Sequence, residues 1–184
     1  QGFNLGNSIK EYSEETVKGK ILVFHSTNGT PSLIKSKFAH NCVVLGFVNM
    51  ERVANYLLEL NEDFIILCAG TNGEFSLEDT VCGGMLVSRL KKLAGRGKYI
   101  LTDSSRGASK LYSAYKNDIS KMLHDSEHGQ FLVSLGFSDD LAACGEVDKY
   151  NMLPVLRNGV IKSIEAFASD PKLTMKKVSQ QSAG

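Results

Sequence analysis

Glu78, Asp79 and Cys82 lie close together in the run F-I-I-L-C-A-G-T-N-G-E-F-S-L-E-D-T-V-C-G-G, residues 64–84. Adjacent carboxylates suit a hard cation: magnesium takes one or two of them, keeps several waters and completes its shell from a phosphate. Adjacent residues of a helix point about 100° apart. The pair therefore reads as one metal ligand with a neighbour that orients water or a base, or as two ligands if the helix starts there. Acids in a first helical turn are also what the helix dipole favours on any surface, so that reading stays open. Cys82 follows at i+4 from Glu78 and i+3 from Asp79, on their side of the helix. A thiol near a helix N-terminus has a lowered pKa and could be a nucleophile. It could equally be a small packing residue or the wall of a pocket.

The elements around them follow from pattern. Residues 64–68 are a short apolar run bounded by turn residues, as in a strand covered on both faces. Gly70, Thr71, Asn72 and Gly73 form a loop. Ser76 is a good N-cap, and Leu77, Val81, Met85, Leu86 and Leu93 recur at helical spacing. The acids thus sit at the carboxyl end of a strand and the start of a helix, where open α/β sheets bind ligands.

The same order recurs earlier. Residues 21–24 read as a strand, Ser26 to Thr30 as a loop, and Pro31 as the first position of a helix running to about Lys37. Residues 42–45 read as a second strand, followed by an amphipathic helix capped by Asn49. Strand and helix in alternation predict a three-layer α/β/α fold with a mostly parallel central sheet. Thr-Asn-Gly occurs at Thr27 and again at Thr71, each time after a predicted strand. Asn-Gly is common in tight turns. Two such loops on one sheet edge would also make a polar wall whose N–H groups attract an anion such as phosphate or sulfonate.

The second half is predicted to be helical, with a possible strand at 99–101. One helix lies within 104–123, another starts at Asp125 or Ser126 and ends by Gly136, and a third is capped by Ser138. Asn158-Gly159 predicts a β-hairpin between residues 152–157 and 160–164, with Pro154 placing the first strand at an edge. At the other end, Ser8 is expected to cap a short helix through Tyr12. The expected organisation is one domain over residues 1–169 and a polar tail over 170–184.

Composition narrows the classes. A chain of 184 residues with 42% apolar and 22% charged content is an ordinary globular domain. A net charge of +1 gives no push toward nucleic acid or a membrane surface. No apolar run approaches a bilayer span, and no signal peptide opens the chain. Cys42, Cys68, Cys82 and Cys144 have no C-x-x-C spacing and read as reduced thiols, which predicts a cytoplasmic protein. His25, His40, His124 and His128 lack zinc spacing, and no nucleophile elbow, P-loop or dinucleotide fingerprint is present.

Together the blocks G-F-N-L-G-N-S-I-K-E-Y (residues 2–12), S-T-N-G-T (26–30) and C-A-G-T-N-G-E-F-S-L-E-D-T-V-C-G-G (68–84), then Gly129, Leu132, Gly136, Cys144, Asp148, Pro154 and Val155, resemble the 2-phosphosulfolactate phosphatases of coenzyme M biosynthesis. They run in that family's order over nearly the whole chain to about residue 165. The resemblance implies a magnesium-dependent phosphatase converting (2R)-2-phospho-3-sulfolactate to 3-sulfolactate and phosphate, on a three-layer α/β fold, as a homodimer. It implies a site of Asn7, Ser8, Thr27, Asn28, Gly29, Thr30, Glu78, Asp79 and Cys82, to which the loop reading adds Gly70 and Thr71.

There are departures. The family's usual opening strand, with a D-V-x-R-A-type segment that brings an acid and an arginine, has no counterpart here. Ile9 stands for the usual proline, and His25-Ser26-Thr27 for a threonine run. The chain opens at Gln1 on what reads as the middle of a domain, so an upstream piece is expected. The alternative to an enzyme is a non-catalytic anion-binding protein or inactive family member. A cysteine hydrolase using Cys82 is a third reading.

Overall fold

The computed structural model describes residues 2–95 and 97–168. The predicted tail over 170–184 lies outside the described residues. The fold is mixed α/β. In chain order the helices are α1 (Glu14–Val17), α2 (Gly29–Lys35), α3 (Met50–Leu60), α4 (Leu77–Ala94), α5 (Asp103–Tyr115), α6 (Ile119–Asp125), α7 (Glu127–Ser134), α8 (Ser138–Cys144) and α9 (Ile164–Ala168). The strands β1 (Pro154–Arg157) and β2 (Val160–Ser163) precede α9.

Helix α4 is the spine of the core. Val81, Met85, Leu86 and Leu90 are buried along it against Met50, Val53 and Leu57 of α3. On its other side α5 crosses closely at Gly84, where a Cβ would meet the Ala108 carbonyl oxygen at 2.0 Å and Tyr112 Cβ at 3.0 Å. Only glycine allows that approach, and Ser88 and Ser109 hydroxyls join the two helices at 3.0 Å. Helices α6, α7 and α8 pack together at the end of the core, through Met122, Leu123 and Leu141.

The predicted caps and turns explain many boundaries. Ser76 Oγ accepts the Asp79 N–H at 3.2 Å and starts α4 at the predicted place. Asn49 begins α3 in the opposite sense, its side chain accepting the Gly46 N–H at 2.8 Å. Asp118 and Ser126 cap α6 and α7, dividing the predicted helical stretch. Ser138 is the first residue of α8, not its cap, because Phe137 takes that place. Ser8 opens only a 3-10 turn over Ile9–Glu11, and Ser13 caps α1 separately. The predicted hairpin forms with Asn158 and Gly159 both at positive φ, and Arg157 faces Val160 in its register.

The predicted parallel sheet is the main difference. Among the described residues, the sheet consists of β1 and β2, with Val43 bridged antiparallel to Val155. Residues 21–24, 64–68 and 99–101 are not assigned to strands. Phe64, Ile66 and Tyr99 nevertheless pack on the core, while Ile65 and Ile100 are 91% and 98% exposed. Within residues 21–24, Ile21 and Val23 are 95% and 93% exposed, more than Leu22 or Phe24. Alternating exposure is the period of an extended strand. Among the described residues no neighbouring strand pairs with these segments.

Candidate functional site

The two Thr-Asn-Gly loops, 44 residues apart, meet. Asn72 donates its N–H to Asn28 Oδ1 at 2.9 Å. Each loop is also organised internally. Thr71 and Glu74 exchange two backbone hydrogen bonds, of 3.2 and 3.0 Å, around Asn72 and Gly73. Both central residues have positive φ, the geometry that Asn-Gly favours in a tight hairpin turn. Gly70, also at positive φ, sits where a Cβ would meet the Glu74 carbonyl oxygen at 2.6 Å.

In the first loop Ser26 Oγ accepts the N–H groups of Gly29 and Thr30, at 3.0 and 3.2 Å, and Thr30 Oγ1 accepts the Ser26 N–H at 2.8 Å. This reciprocal cap opens α2 at Gly29, before the predicted start at Pro31. Ser26 was not among the sequence-derived site residues. Its signal was a serine followed by threonine four residues later at the start of a helix.

The acids sit beside these loops. Asp79 Oδ2 accepts the Gly70 N–H at 2.8 Å, tying the first turn of α4 to the loop before it. Glu78 turns back along its own helix, and its Oε2 accepts the Ser76 hydroxyl at 3.0 Å. Ser76, buried, thus holds the Glu78 carboxylate with its hydroxyl and caps the turn that carries Asp79. Each carboxylate is half-buried and has its second oxygen free of any hydrogen bond among the described residues.

Asp79 and Glu78 part company at the groove. An open cavity of about 880 Å³ runs between residues 41–45 and 62–69 over α3 and α4. Asp79, Cys68, Cys82 and Gly29 line it, and Glu78 does not. Cys82 is buried in the groove wall. Burial first, then the charges of Asp79 and Cys68, push its thiol up to about 12. At neutral pH it is a protonated wall residue, so the nucleophile reading loses its thiolate. Burial also raises the Cys68 thiol, with Asp79 adding to it and a hydrogen bond from Thr80 opposing.

Of the sequence-derived residues, the structure brings together Asn28, Gly29, Thr30, Gly70, Thr71, Glu78, Asp79 and Cys82. The N–H groups of Gly29, Thr30, Gly70 and Thr71 are engaged within the loops. Thr27 is exposed at the tip of the first loop. Asn7 and Ser8 belong to another neighbourhood. Their segment is held by Tyr12, whose hydroxyl donates to the Gly6 carbonyl at 2.7 Å, and by an ion pair of Lys10 with Asp139 of α8 at 2.6 Å. Among the described residues no hydrogen bond links Asn7 or Ser8 to the Asp79 loops.

No group of three or more His, Cys, Asp or Glu side chains that could hold a metal is present among the described residues. Two oriented carboxylates with free oxygens still fit an ion that draws its other ligands from water and phosphate. No helix among the described residues is long and apolar enough to cross a membrane.

Comparison with known proteins matches residues 1–159 to the family described as 2-phosphosulpholactate phosphatase. Among curated proteins, a probable 2-phosphosulfolactate phosphatase of Caldanaerobacter subterraneus subsp. tengcongensis is 35% identical over 167 residues, covering 91% of this chain and 68% of the relative. Its namesake in Thermotoga maritima is 38% identical over 160 residues, covering 87% of this chain and 67% of the relative. That of Symbiobacterium thermophilum is 38% identical over 165 residues, covering 89% and 70%.

Proposed function

The chain belongs to the 2-phosphosulpholactate phosphatase family, and from that premise we propose that it hydrolyses a small, highly anionic phosphate monoester at the Asp79 end of the groove. The substrate we infer is (2R)-2-phospho-3-sulfolactate, released as 3-sulfolactate and phosphate within coenzyme M biosynthesis. The observation that carries the reading is the joining of the two Thr-Asn-Gly loops beside Asp79 through the Asn72–Asn28 hydrogen bond.

Asp79 and Glu78 would hold magnesium, which supplies positive charge to a phosphate when bound. The Gly70 N–H and the Ser76 hydroxyl fix one oxygen of each carboxylate and leave the other to face the site. The hydroxyls of Thr27, Thr30 and Thr71 are the donors for phosphate or sulfonate oxygens. Where Asp79 alone binds the ion, the free oxygen of Glu78 orients the attacking water and accepts its proton. Water oxygen bonds to phosphorus, the ester P–O bond breaks, and the leaving alkoxide is protonated from solvent. Cys82 shapes the pocket. Asn7 and Ser8 serve the substrate only if their segment closes toward the loops.

We read segments 21–24, 42–45 and 64–68 as strands of a mostly parallel sheet in a three-layer α/β/α fold. The support is the packing of Val43, Leu45, Phe64 and Ile66 against the core and the alternating exposure along residues 21–24. Four free cysteines agree with a cytoplasmic location, and we infer a homodimer from the family resemblance.

Phosphate release by Glu78→Gln and Asp79→Asn proteins tests the site. Each is expected to lose about 100-fold or more in kcat with an unchanged far-ultraviolet circular dichroism spectrum. Full magnesium-dependent activity in either variant overturns its assignment.

A further inference from the structure

The loop that carries Asn7 and Ser8 is closed on itself. Gly6 donates its N–H to Glu11 Oε2, and its carbonyl accepts the Tyr12 hydroxyl, both at 2.7 Å. Glu11 N–H to Ser8 O at 3.1 Å and Tyr12 N–H to Ile9 O at 3.2 Å complete the unit. Among the described residues its one polar link to another part of the chain is the Lys10–Asp139 ion pair. The Tyr12 ring also lies 6.3 Å from that of Phe24. The polar link is weak. Its side chains are 65% and 80% exposed, and an ion pair in water shifts an equilibrium by about fivefold at most.

A stronger partner stands next to it unused. Asp140 follows Asp139 in α8, and neighbouring helix positions point about 100° apart. Asp139 therefore faces water, while Asp140 turns inward and is only 9% exposed. Its Oδ1 is buried and has no hydrogen-bond partner among the described residues. A buried carboxylate oxygen in that state is costly. Lys10 is the cation at hand. The hydrogen bond and then the charge of Asp139 raise the lysine pKa, and the charge of Asp140 adds to them. Cys144, one turn on, offers no counter-charge: burial first, and then Asp140, raise its thiol.

We propose that Lys10 has a second, inner seat at Asp140 Oδ1, and that Asp140 is the positioning residue that draws the Asn7–Ser8 loop onto α8. The flexible lysine stem turns about its own bonds from the outer carboxylate to the inner one. The move exchanges an exposed pair for one that satisfies a buried oxygen. The loop follows as a body, because its own hydrogen bonds hold it closed. Asp139 is the outer, solvent-screened stop. That the seated loop presents Asn7 and Ser8 to a substrate rests on the phosphatase reading; the seat itself does not.

Urea unfolding of the 184-residue chain tests the seat with no ligand present. Lys10→Met is expected to raise the unfolding constant about tenfold or more, and Asp139→Asn by no more than about threefold. Lys10→Arg should keep most of the stability. Asp140→Asn should cost about as much as Lys10→Met, and should bring no further loss in the Lys10→Met background. Equal losses for Lys10→Met and Asp139→Asn overturn the inner seat, and that comparison needs no Asp140 variant to fold. An Asp140→Asn loss that is the same with and without Lys10 also overturns it, leaving Asp140 a structural acid. Phosphate release then reads the positioning role. Asp140→Asn is expected to raise KM about tenfold with kcat within about twofold, and Asp139→Asn to leave both unchanged. An unchanged KM beside strong Lys10–Asp140 coupling overturns the positioning role and keeps the seat.

Discussion

Asp148 should be among the costliest polar residues to remove, and the structure says by how much. It sits at φ +58° in the loop after α8. Its Oδ2 accepts Arg89 Nη1 of α4 at 2.5 Å, and its Oδ1 accepts the Glu51 N–H in the first turn of α3, also at 2.5 Å. The two ion-pair side chains are only 27% and 24% exposed for Arg89 and Asp148. One carboxylate thus binds the start of α3, the middle of α4 and the loop that leads to β1. A hydrogen bond to a charged group contributes about 1.5–3 kcal/mol. With partial exposure and shared geometry the two together are worth about 3 kcal/mol. Left-handed backbone costs a non-glycine residue roughly a further 1 kcal/mol unless it is Asn or Asp. The expected losses are therefore about 4 kcal/mol for Asp148→Ala and about 3 for Asp148→Gly. Asp148→Asn keeps the acceptor and the tolerated backbone, and should lose about 1.5. At this chain length each kcal/mol lowers Tm by about 2–4 °C. Urea unfolding of the three variants, with an Arg89→Met double-mutant cycle, measures the order and the coupling. Equal losses for Ala and Asn, or a coupling energy below about 0.5 kcal/mol, would refute the reasoning.

Three more outcomes follow from the loops and the groove. Gly70→Ala should destabilise by about 1–3 kcal/mol, read by thermal melting, because φ +76° and the Glu74 carbonyl at 2.6 Å both oppose a Cβ; an unchanged Tm would contradict that geometry. Ser76→Ala should cost about 1 kcal/mol as a lost cap, and should lower kcat more than it raises KM because Glu78 loses the hydroxyl that orients its carboxylate. Iodoacetamide at pH 8 should modify Cys68 and Cys144, both exposed, and spare Cys82 until the chain is unfolded, because a thiol raised to about 12 holds almost no thiolate there; peptide mapping with Cys82 labelled first would restore the nucleophile reading.

What was legible in the sequence was local. Ser76 followed by Asp79 fixed the start of α4 because an N-cap needs only its own turn. Asn158-Gly159 fixed the hairpin for the same reason. The repeated Thr-Asn-Gly marked the two loops, but their contact depends on how two distant turns are brought together, which spacing alone does not encode. Residues 64–68 had the composition of a buried strand, and composition cannot say whether a neighbour is present to pair with it. Ile65 and Ile100 are exposed for that reason. The closeness of Glu78 and Asp79 in sequence also concealed a division. Adjacent positions diverge on a helix, so one acid lines the groove and the other turns to Ser76.

The measurement that bears most directly on the central claim is phosphate release by this 184-residue chain from racemic phosphosulfolactate and from a panel of ordinary phosphate monoesters, with and without magnesium. The account predicts magnesium-dependent release, fastest with the sulfonated ester, and its loss in the Asp79→Asn protein. A folded chain that binds phosphosulfolactate without releasing phosphate, or releases it equally well without magnesium, would contradict it.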